Sequence, residues 1–332
     1  MKNRKKKIVI LVIILLIALV IGVYIKFFNG KGIYFTAGMD KDELIKTANS
    51  NTTYSCEAQI LMSDVKKEYE EMFGSDIWSE KIDGKNFEDY IKDQIKTKLM
   101  RVRAMNVKAK ERGVVLGREE KDAVNKSVDD YYASLTDAQI KEARITKDKL
   151  KDMFTDFAIA KKLYEDLTSN MNIEVSADEA RVIDIQYIVS NSEEDINKAY
   201  QMVSSGSSFF AVAKEYNEDG QYEYELKRGE MDEAFENAAF NLSTGEMSKV
   251  VEASGRYYII RCTSDNDKAK TEVNKSAILG KRKLEQFNAD FEKYESGIYM
   301  EFNNSEWKKL NLKDCLVFDG SFEETFNSHF GK

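Results

Sequence analysis

The spacing of the apolar positions changes along this chain and predicts which elements it forms. Over residues 40–168 these positions recur three and four apart, which predicts helices, with Gly113 ending one and Thr146 capping another. Two β-rich runs follow, at 183–189 and within 255–262, and they predict strands. The pattern therefore changes from helical to mixed near the middle of the chain.

Helical segments are predicted between the two strands, at 196–216 and 233–241, and a last long helix after Asp267. In that last helix apolar positions alternate four and three residues apart: Val273, Ala277, Gly280, Leu284, Phe287, Phe291 and Tyr294. We expect this seam to pack on the helical region before residue 170. The β-containing segment would then be an insertion in a discontinuous helical domain.

The prediction is an α+β protein of four segments. They are a basic stub with a transmembrane anchor (1–28), a mainly helical domain (29–175), an inserted α/β module (176–264), and a C-terminal helix and tail that pack on the helical domain (265–332).

The N-terminus carries the pattern of a membrane span. Cations at Lys2 and at residues 4–7 precede an apolar run at 8–25, which makes about 27 Å of helix and matches the hydrocarbon thickness of a bilayer. The positive-inside rule keeps the cations in the cytoplasm and exports the rest. A cleaved signal peptide is the alternative, but no A-x-A-like site follows Ala18. We expect a single-pass cell-membrane protein with a cytoplasmic N-terminus, an extracytoplasmic body, and lipid around residues 8–25.

Composition narrows the classes of function. The chain has 332 residues, a net charge of -8, no proline and one histidine, His329. Nucleic-acid binding is not expected, because it needs a basic surface. One histidine leaves no histidine-based triad and few zinc sites, so we expect no metal and no cofactor. Cys56, Cys262 and Cys315 are expected to be free thiols, with one disulfide as the alternative.

The most informative stretch is 179–262, which contains an ordered series of motifs. In chain order they are Gln186-Tyr187-Ile188-Val189; Gly206, Phe209, Ala213, Tyr216, Asn217 and Asp219; Gly229-Glu230-Met231; Phe235-Glu236-Asn237-Ala238-Ala239-Phe240; Thr244-Gly245-Glu246-Met247-Ser248; and Tyr257-Tyr258-Ile259-Ile260-Arg261. The series resembles the parvulin-type (PpiC) peptidyl-prolyl isomerases, or rotamases. That family has histidine before the aliphatic residues of the first and last motifs, where this chain is read as having Gln186 and Tyr258.

The resemblance implies a site that acts on an Xaa-Pro bond. Rotation about an amide has a barrier near 18–20 kcal/mol, and an isomerase must seat the proline ring and favour the twisted amide. Met231 and Phe235 match the substrate-binding ring pocket, and Gln186, Asp219 and Tyr258 match the catalytic positions. Since both family histidines are replaced, any catalysis has to proceed without imidazole.

Each of these residues also has an ordinary structural explanation. Met231 and Phe235, four apart on a short helix, suit a core, and Asp219 before Gly220 suits a turn. Gln186 and Tyr258 suit interior polar side chains that are bonded to each other or to backbone.

The flanking segments resemble the PrsA and SurA type of extracytoplasmic foldase. In that type a helical domain precedes the parvulin module and a helix follows it, and residues 109–114 resemble its N-terminal domain. The resemblance implies that the helical part is a chaperone domain that binds unfolded exported polypeptides. Three functions remain open: a foldase with isomerase activity, a non-catalytic holdase, and a structural or signalling ectodomain. An apolar groove between the helical domain and the module would favour the first two.

Overall fold

The computed structural model describes residues 38–47, 51–82 and 84–331. These residues form two units: the first runs to Asn170 and resumes at Ala289, and the second is Met171–Asn288. The membrane span predicted at 8–25 lies outside the described residues. Within them, no helix is long and apolar enough to cross a bilayer.

The described helices are numbered in chain order. They are α1 (Ser55–Phe73), α2 (Phe87–Arg112), α3 (Arg118–Ala133), α4 (Asp137–Ala143), α5 (Lys147–Thr168), α6 (Ala177–Ala180), α7 (Glu193–Ser204), α8 (Phe209–Tyr216), α9 (Glu233–Phe240), α10 (Lys268–Glu295), α11 (Asn304–Trp307) and α12 (Phe322–Phe330). The division between the units falls inside α10.

The described strands belong to three antiparallel sheets. They are β1 (Glu43–Thr47), β2 (Thr53–Tyr54), β3 (Lys81–Ile82), β4 (Lys85–Asn86), β5 (Val182–Ser190), β6 (Glu223–Lys227), β7 (Val251–Ala253), β8 (Arg256–Ser264) and β9 (Met300–Phe302). The sheet orders are β2-β1-β9, β3-β4 and β6-β5-β8-β7. The protein is thus a helix-rich α+β fold, as the sequence predicts.

The first unit is built around the helices that the apolar spacing predicts. On α2 the buried stripe is Phe87, Ile91, Ile95 and Leu99. The helix ends at Gly113, which has φ of 70°, a conformation that favours glycine. The hydroxyl of Thr146 accepts the Lys149 backbone N–H at 3.2 Å and caps α5. The predicted helical spacing, the helix end at Gly113 and the N-cap at Thr146 are therefore all confirmed.

The core of the first unit also contains a buried ion pair. The side chains of Arg103 on α2 and Asp156 on α5 are 1% and 3% exposed and bond to each other. Arg103 also donates to the carbonyl of Asn51 at 2.7 Å, and Asn106 donates to the carbonyl of Asp156 at 2.9 Å. The ion pair therefore joins α2 and α5 within the core.

Glu57 is a further buried acid of this unit. Its Oε1 accepts the Tyr54 backbone N–H at 2.8 Å at the start of α1, while Oε2 has no partner among the described residues. Burial raises the pKa of Glu57 to about 8. The site favours the neutral carboxyl.

The expectation that residues 40–168 are helical throughout is wrong at its start. There β1 pairs with β9, with Ile45 opposite Phe302 and Thr47 opposite Met300. The partner strand comes more than 250 residues later, so local spacing gives no sign of the pairing.

The seam expected along α10 is packed only in its C-terminal part. Val273 and Leu284 are 71% and 49% exposed, whereas Phe291 is 4% exposed. The expectation of a continuous packed seam is therefore wrong for its first half, because apolar spacing alone does not specify a partner surface.

In the second unit, helices cover both faces of the β6-β5-β8-β7 sheet. Ile188 and Ile259 face α7 and α8, and Tyr187 and Tyr258 face α9. The two predicted strands are confirmed as β5 and β8, while the segment expected to be helical over 196–216 divides into α7 and α8 around Gly206. Gly206 has φ of 100°, which a side chain would strain.

The three cysteines are free thiols, as expected. Cys56 and Cys262 are buried and Cys315 is half-buried.

Candidate active site

Three aromatic rings form the centre of the candidate site. Tyr187 on β5, Tyr258 on β8 and Phe235 on α9 are 7%, 7% and 1% exposed. The Phe235 ring centroid lies 5.0 Å from that of Tyr258 and 6.2 Å from that of Tyr187, both edge-to-face. The cluster is an apolar wall with two phenol groups.

A charged pair lies at the edge of this wall. The Tyr187 hydroxyl donates to Asp219 Oδ2 at 3.4 Å, and Asp219 Oδ1 accepts from Arg256 Nη1 at 3.1 Å. Arg256 Nη2 also lies 3.7 Å from a Glu218 carboxylate oxygen. The two carboxylates raise the pKa of Arg256, with the hydrogen bond to Asp219 as the largest cause. Arg256 is therefore a fixed cation here.

The loop that carries Asp219 is held by Asn217. Its Oδ1 accepts the Val189 backbone N–H at 2.9 Å, and its Nδ2 donates to the carbonyls of Asp219 and Gln221 at 2.8 and 3.0 Å. An asparagine amide can make all these bonds at once. Asn217 thus fixes the loop against β5.

Met231 lies in a turn that Glu236 holds. Glu236 Oε1 accepts the backbone N–H groups of Gly229 and Met231 at 2.8 and 3.0 Å. Met231 is half-buried against the aromatic cluster. It precedes α9, so Met231 and Phe235 do not share a helix as expected, although the structure does bring them to the same cluster.

The structure does not bring Gln186 to this cluster. Its Nε2 donates to Glu223 at 2.9 Å and its Oε1 accepts from Arg261. The Arg261 guanidinium lies 4.8 Å from the Phe209 ring centroid, on the α7/α8 side of the sheet. Neighbouring side chains on a strand point to opposite faces, so Gln186 and Tyr187 are separated by the sheet.

The contacts expected for Gln186 and Tyr258 are accordingly wrong. Gln186 bonds to charged side chains at a partly exposed position, and Tyr258 packs in the ring cluster on the other face. A shift of one residue in reading the first motif moves the side chain across the sheet.

Sequence reasoning missed Tyr187 and Arg256. The signal for Tyr187 was present, since in the run 183–189 the alternation of faces groups it with Ile185 and Val189. No local signal marked Arg256, which reaches Asp219 across 37 positions of the chain.

The cluster offers neutral phenol hydroxyl groups as hydrogen-bond donors. Burial, followed by the nearby Asp219 charge, raises the pKa of Tyr187 to about 12. The hydroxyl therefore stays protonated at physiological pH and acts as a hydrogen-bond donor. Among the described residues no cluster of acidic, histidine or cysteine side chains could hold a metal ion.

Comparison with known proteins gives a matching family model and several sequence relatives. Residues 158–275 match the family model of the PPIC-type PPIase domain. The curated foldase protein PrsA of Caldanaerobacter subterraneus subsp. tengcongensis is 25% identical over 231 residues, which is 66% of this chain and 72% of that protein. The PrsA foldase of Bacillus subtilis is 30% identical over 151 residues, 43% of this chain and 47% of that protein.

Solved structures include a similar protein, the peptidylprolyl isomerase PrsA from Bacillus cereus. Its crystal structure superposes with a TM-score of 0.38 at 19% identity, covering 88% of this chain and 100% of that chain.

The module on β5 to β8 therefore lies within a PPIC-type PPIase domain, the domain of the parvulin-type peptidyl-prolyl isomerases. The chain as a whole is similar to protein-folding factors of the PrsA foldase type.

Proposed function

We propose that this protein is a membrane-anchored extracytoplasmic foldase that binds unfolded exported polypeptides and slowly isomerises their Xaa-Pro bonds. The basic and apolar pattern of residues 1–28 supports the anchor and the orientation. The PrsA foldase relatives support the folding role. The four segments 1–28, 29–175, 176–264 and 265–332 remain our proposal for how these tasks are divided.

The observation that carries the proposal is the cluster of Tyr187, Phe235 and Tyr258 with Met231 beside it. The three rings are nearly buried and support the half-buried Met231 side chain, which presents apolar surface on which a proline ring can pack. In our proposal Met231 and Phe235 bind the ring, while Tyr187, Tyr258 and Asp219 form the polar side of the site. Gln186 has no part in it, because it lies across the sheet.

Isomerisation needs no proton transfer, so a site without imidazole is chemically sufficient. As the amide twists, resonance is lost and electron density returns to the prolyl nitrogen. A neutral hydroxyl donor stabilises that state more than the planar amide. In our proposal the Tyr187 hydroxyl, which burial and Asp219 keep protonated, turns its single O–H from Asp219 to the prolyl nitrogen when the peptide binds.

The test is the isomerisation rate of a short Xaa-Pro peptide with the full-length protein in mild detergent. We expect a rate above the uncatalysed one, which takes tens of seconds. Met231→Ala should lower the acceleration by roughly tenfold, the effect of losing one apolar contact. An unaccelerated rate for the wild-type protein would refute the isomerase part.

A non-catalytic holdase is the second candidate. The observation that favours it is the presence of Tyr187 and Tyr258 in the site in place of the imidazole pair that the resemblance leads one to expect. In that case the protein suppresses aggregation of an unfolded client while the prolyl rate equals the uncatalysed one.

A further inference from the structure

The first unit carries an open groove that the isomerase site does not involve. Its volume is about 660 Å³, within the range of ligand-binding clefts. The groove is lined by side chains of α1, α2, α5 and α12 and the residue before α12. Its apolar lining consists of Leu61, Val65, Ile95, Phe157, Phe322 and Phe326.

The aromatic part of this lining is held by ring packing. The Phe322 ring centroid lies 4.9 Å from that of Phe157, edge-to-face, and 5.8 Å from that of Phe326, stacked. Phe322 is buried, whereas Phe157 and Phe326 are only partly covered. Partly exposed rings beside aliphatic side chains form a surface for aromatic or aliphatic groups of a partner.

The charged residues that line the groove are mostly acidic. Five carboxylates contribute to it, against two lysines: Asp64, Glu68, Glu71, Glu323 and Glu324, against Lys67 and Lys98. Lys67 is already bonded to the backbone carbonyls of Asp319 and Gly320, both at 3.2 Å. Glu68, Glu71 and Glu324 are exposed, and none forms an ion pair with another described residue. The groove therefore attracts cations.

Asp64 forms part of the groove wall. Its Oδ2 accepts the Glu323 backbone N–H at 3.0 Å in the first turn of α12. Burial raises the pKa of the Asp64 carboxyl. Asp64 therefore holds the start of α12, and the exposed glutamates of the groove are the groups that a cation can reach.

We propose that this groove binds segments of unfolded exported polypeptides in which aromatic or aliphatic side chains stand next to lysine or arginine. The apolar side chains pack on Val65, Phe157 and Phe326, and the cations meet Glu68, Glu71 and Glu324. This inference rests on the proposed chaperone function and adds the chemistry of the preferred client.

The test uses two fluorescent, proline-free, unstructured peptides that have the same phenylalanine and leucine residues. One carries lysine and the other glutamate between them, and the lack of proline keeps both from the isomerase site. Binding to the full-length protein in mild detergent is followed by fluorescence anisotropy at low and high salt.

We expect the lysine peptide to bind at least tenfold more tightly than the glutamate peptide, and high salt to reduce the difference. The triple variant Glu68→Gln/Glu71→Gln/Glu324→Gln should lose most of this preference. The matched control Glu119→Gln/Asp122→Asn/Glu142→Gln removes the same charge from exposed positions on α3 and α4 and should keep it. All six positions are exposed, so both variants should fold.

Equal binding of the two peptides, or an equal effect of the two triple variants, would overturn the inference. Aggregation of a chemically unfolded protein of near-zero net charge is measured in parallel. If aggregation is suppressed while the peptides bind equally, this inference fails and the proposed function stands. If aggregation is not suppressed and neither peptide binds, both fail.

Discussion

The two units each contain an aspartate paired with an arginine, and the pairs differ in burial. The side chains of Arg103 and Asp156 in the helical unit are 1% and 3% exposed. Those of Arg256 and Asp219 in the parvulin module are 29% and 37% exposed. The same two residue types are therefore buried in the core of one unit and partly exposed at the candidate site of the other.

The difference in burial separates a structural role from a functional one. A buried pair leaves an uncompensated charge when one partner is removed, which makes each partner necessary for folding. A half-exposed pair is solvated by water when it is broken, so it contributes little to stability and can serve a site. We therefore assign Arg103 and Asp156 to the fold and Arg256 and Asp219 to the site.

The largest effect should follow from Asp156→Ala. Removing the carboxylate strands the Arg103 guanidinium in the core, and we expect a loss of about 3–5 kcal/mol of unfolding free energy. Urea titration of the full-length protein, followed by circular dichroism, measures this loss. A loss below about 1 kcal/mol, the size typical of exposed ion pairs, would contradict the structural role that we assign to this buried pair.

Glu57, a second buried acid of the first unit, should make the stability of the protein depend on pH. Its pKa in the folded protein is about 8, above the usual value of 4.5, so the folded state holds the proton more tightly. This contribution to stability is present below pH 4.5 and is lost as pH rises from 4.5 to 8.

Glu57→Gln should therefore stabilise the protein at pH 9 more than at pH 5, because it keeps the acceptor for the Tyr54 N–H without the charge. We expect a Tm difference of at least about 2–4 °C between the two pH values, equivalent to roughly 1 kcal/mol in a unit of this size. Equal shifts at both pH values would contradict the raised pKa.

The smallest effect on stability should follow from Asp219→Asn. The pair with Arg256 is partly exposed, and such pairs contribute about 0–1 kcal/mol. The same substitution removes the carboxylate that accepts the Tyr187 hydroxyl, so the prolyl rate should change although the Tm does not. A loss of unfolding free energy in urea as large as that of Asp156→Ala would show that the two pairs are alike.

Much of this fold follows from local spacing. The buried stripe on α2, the cap at Thr146 and the two long strands of the module were predictable because each depends on neighbouring residues. The β1–β9 pairing was not, because it joins strands more than 250 residues apart. Burial of Arg103 and Asp156 was also hidden, since charged residues are rarely buried and nothing local pairs them.

The candidate site was predictable only in part. The motif order gave Asp219, Met231, Phe235 and Tyr258, and the structure brings these residues to one place. The motif order was wrong by one position at Gln186. Side chains alternate between the two faces of a strand, so Tyr187 points to the cluster and Gln186 points away from it. Their catalytic and binding roles stay predictions.

The most direct test of the account is therefore a comparison of Tyr187→Phe with Gln186→Ala. The two residues are neighbours on β5 but lie on opposite faces of the sheet. The rate of Xaa-Pro isomerisation by the full-length protein is measured for both. We expect Tyr187→Phe to lower the acceleration roughly tenfold, the effect of losing one hydrogen-bond donor, and Gln186→Ala to leave it unchanged. A loss with Gln186→Ala and none with Tyr187→Phe would contradict a site built on the α9 face of the sheet.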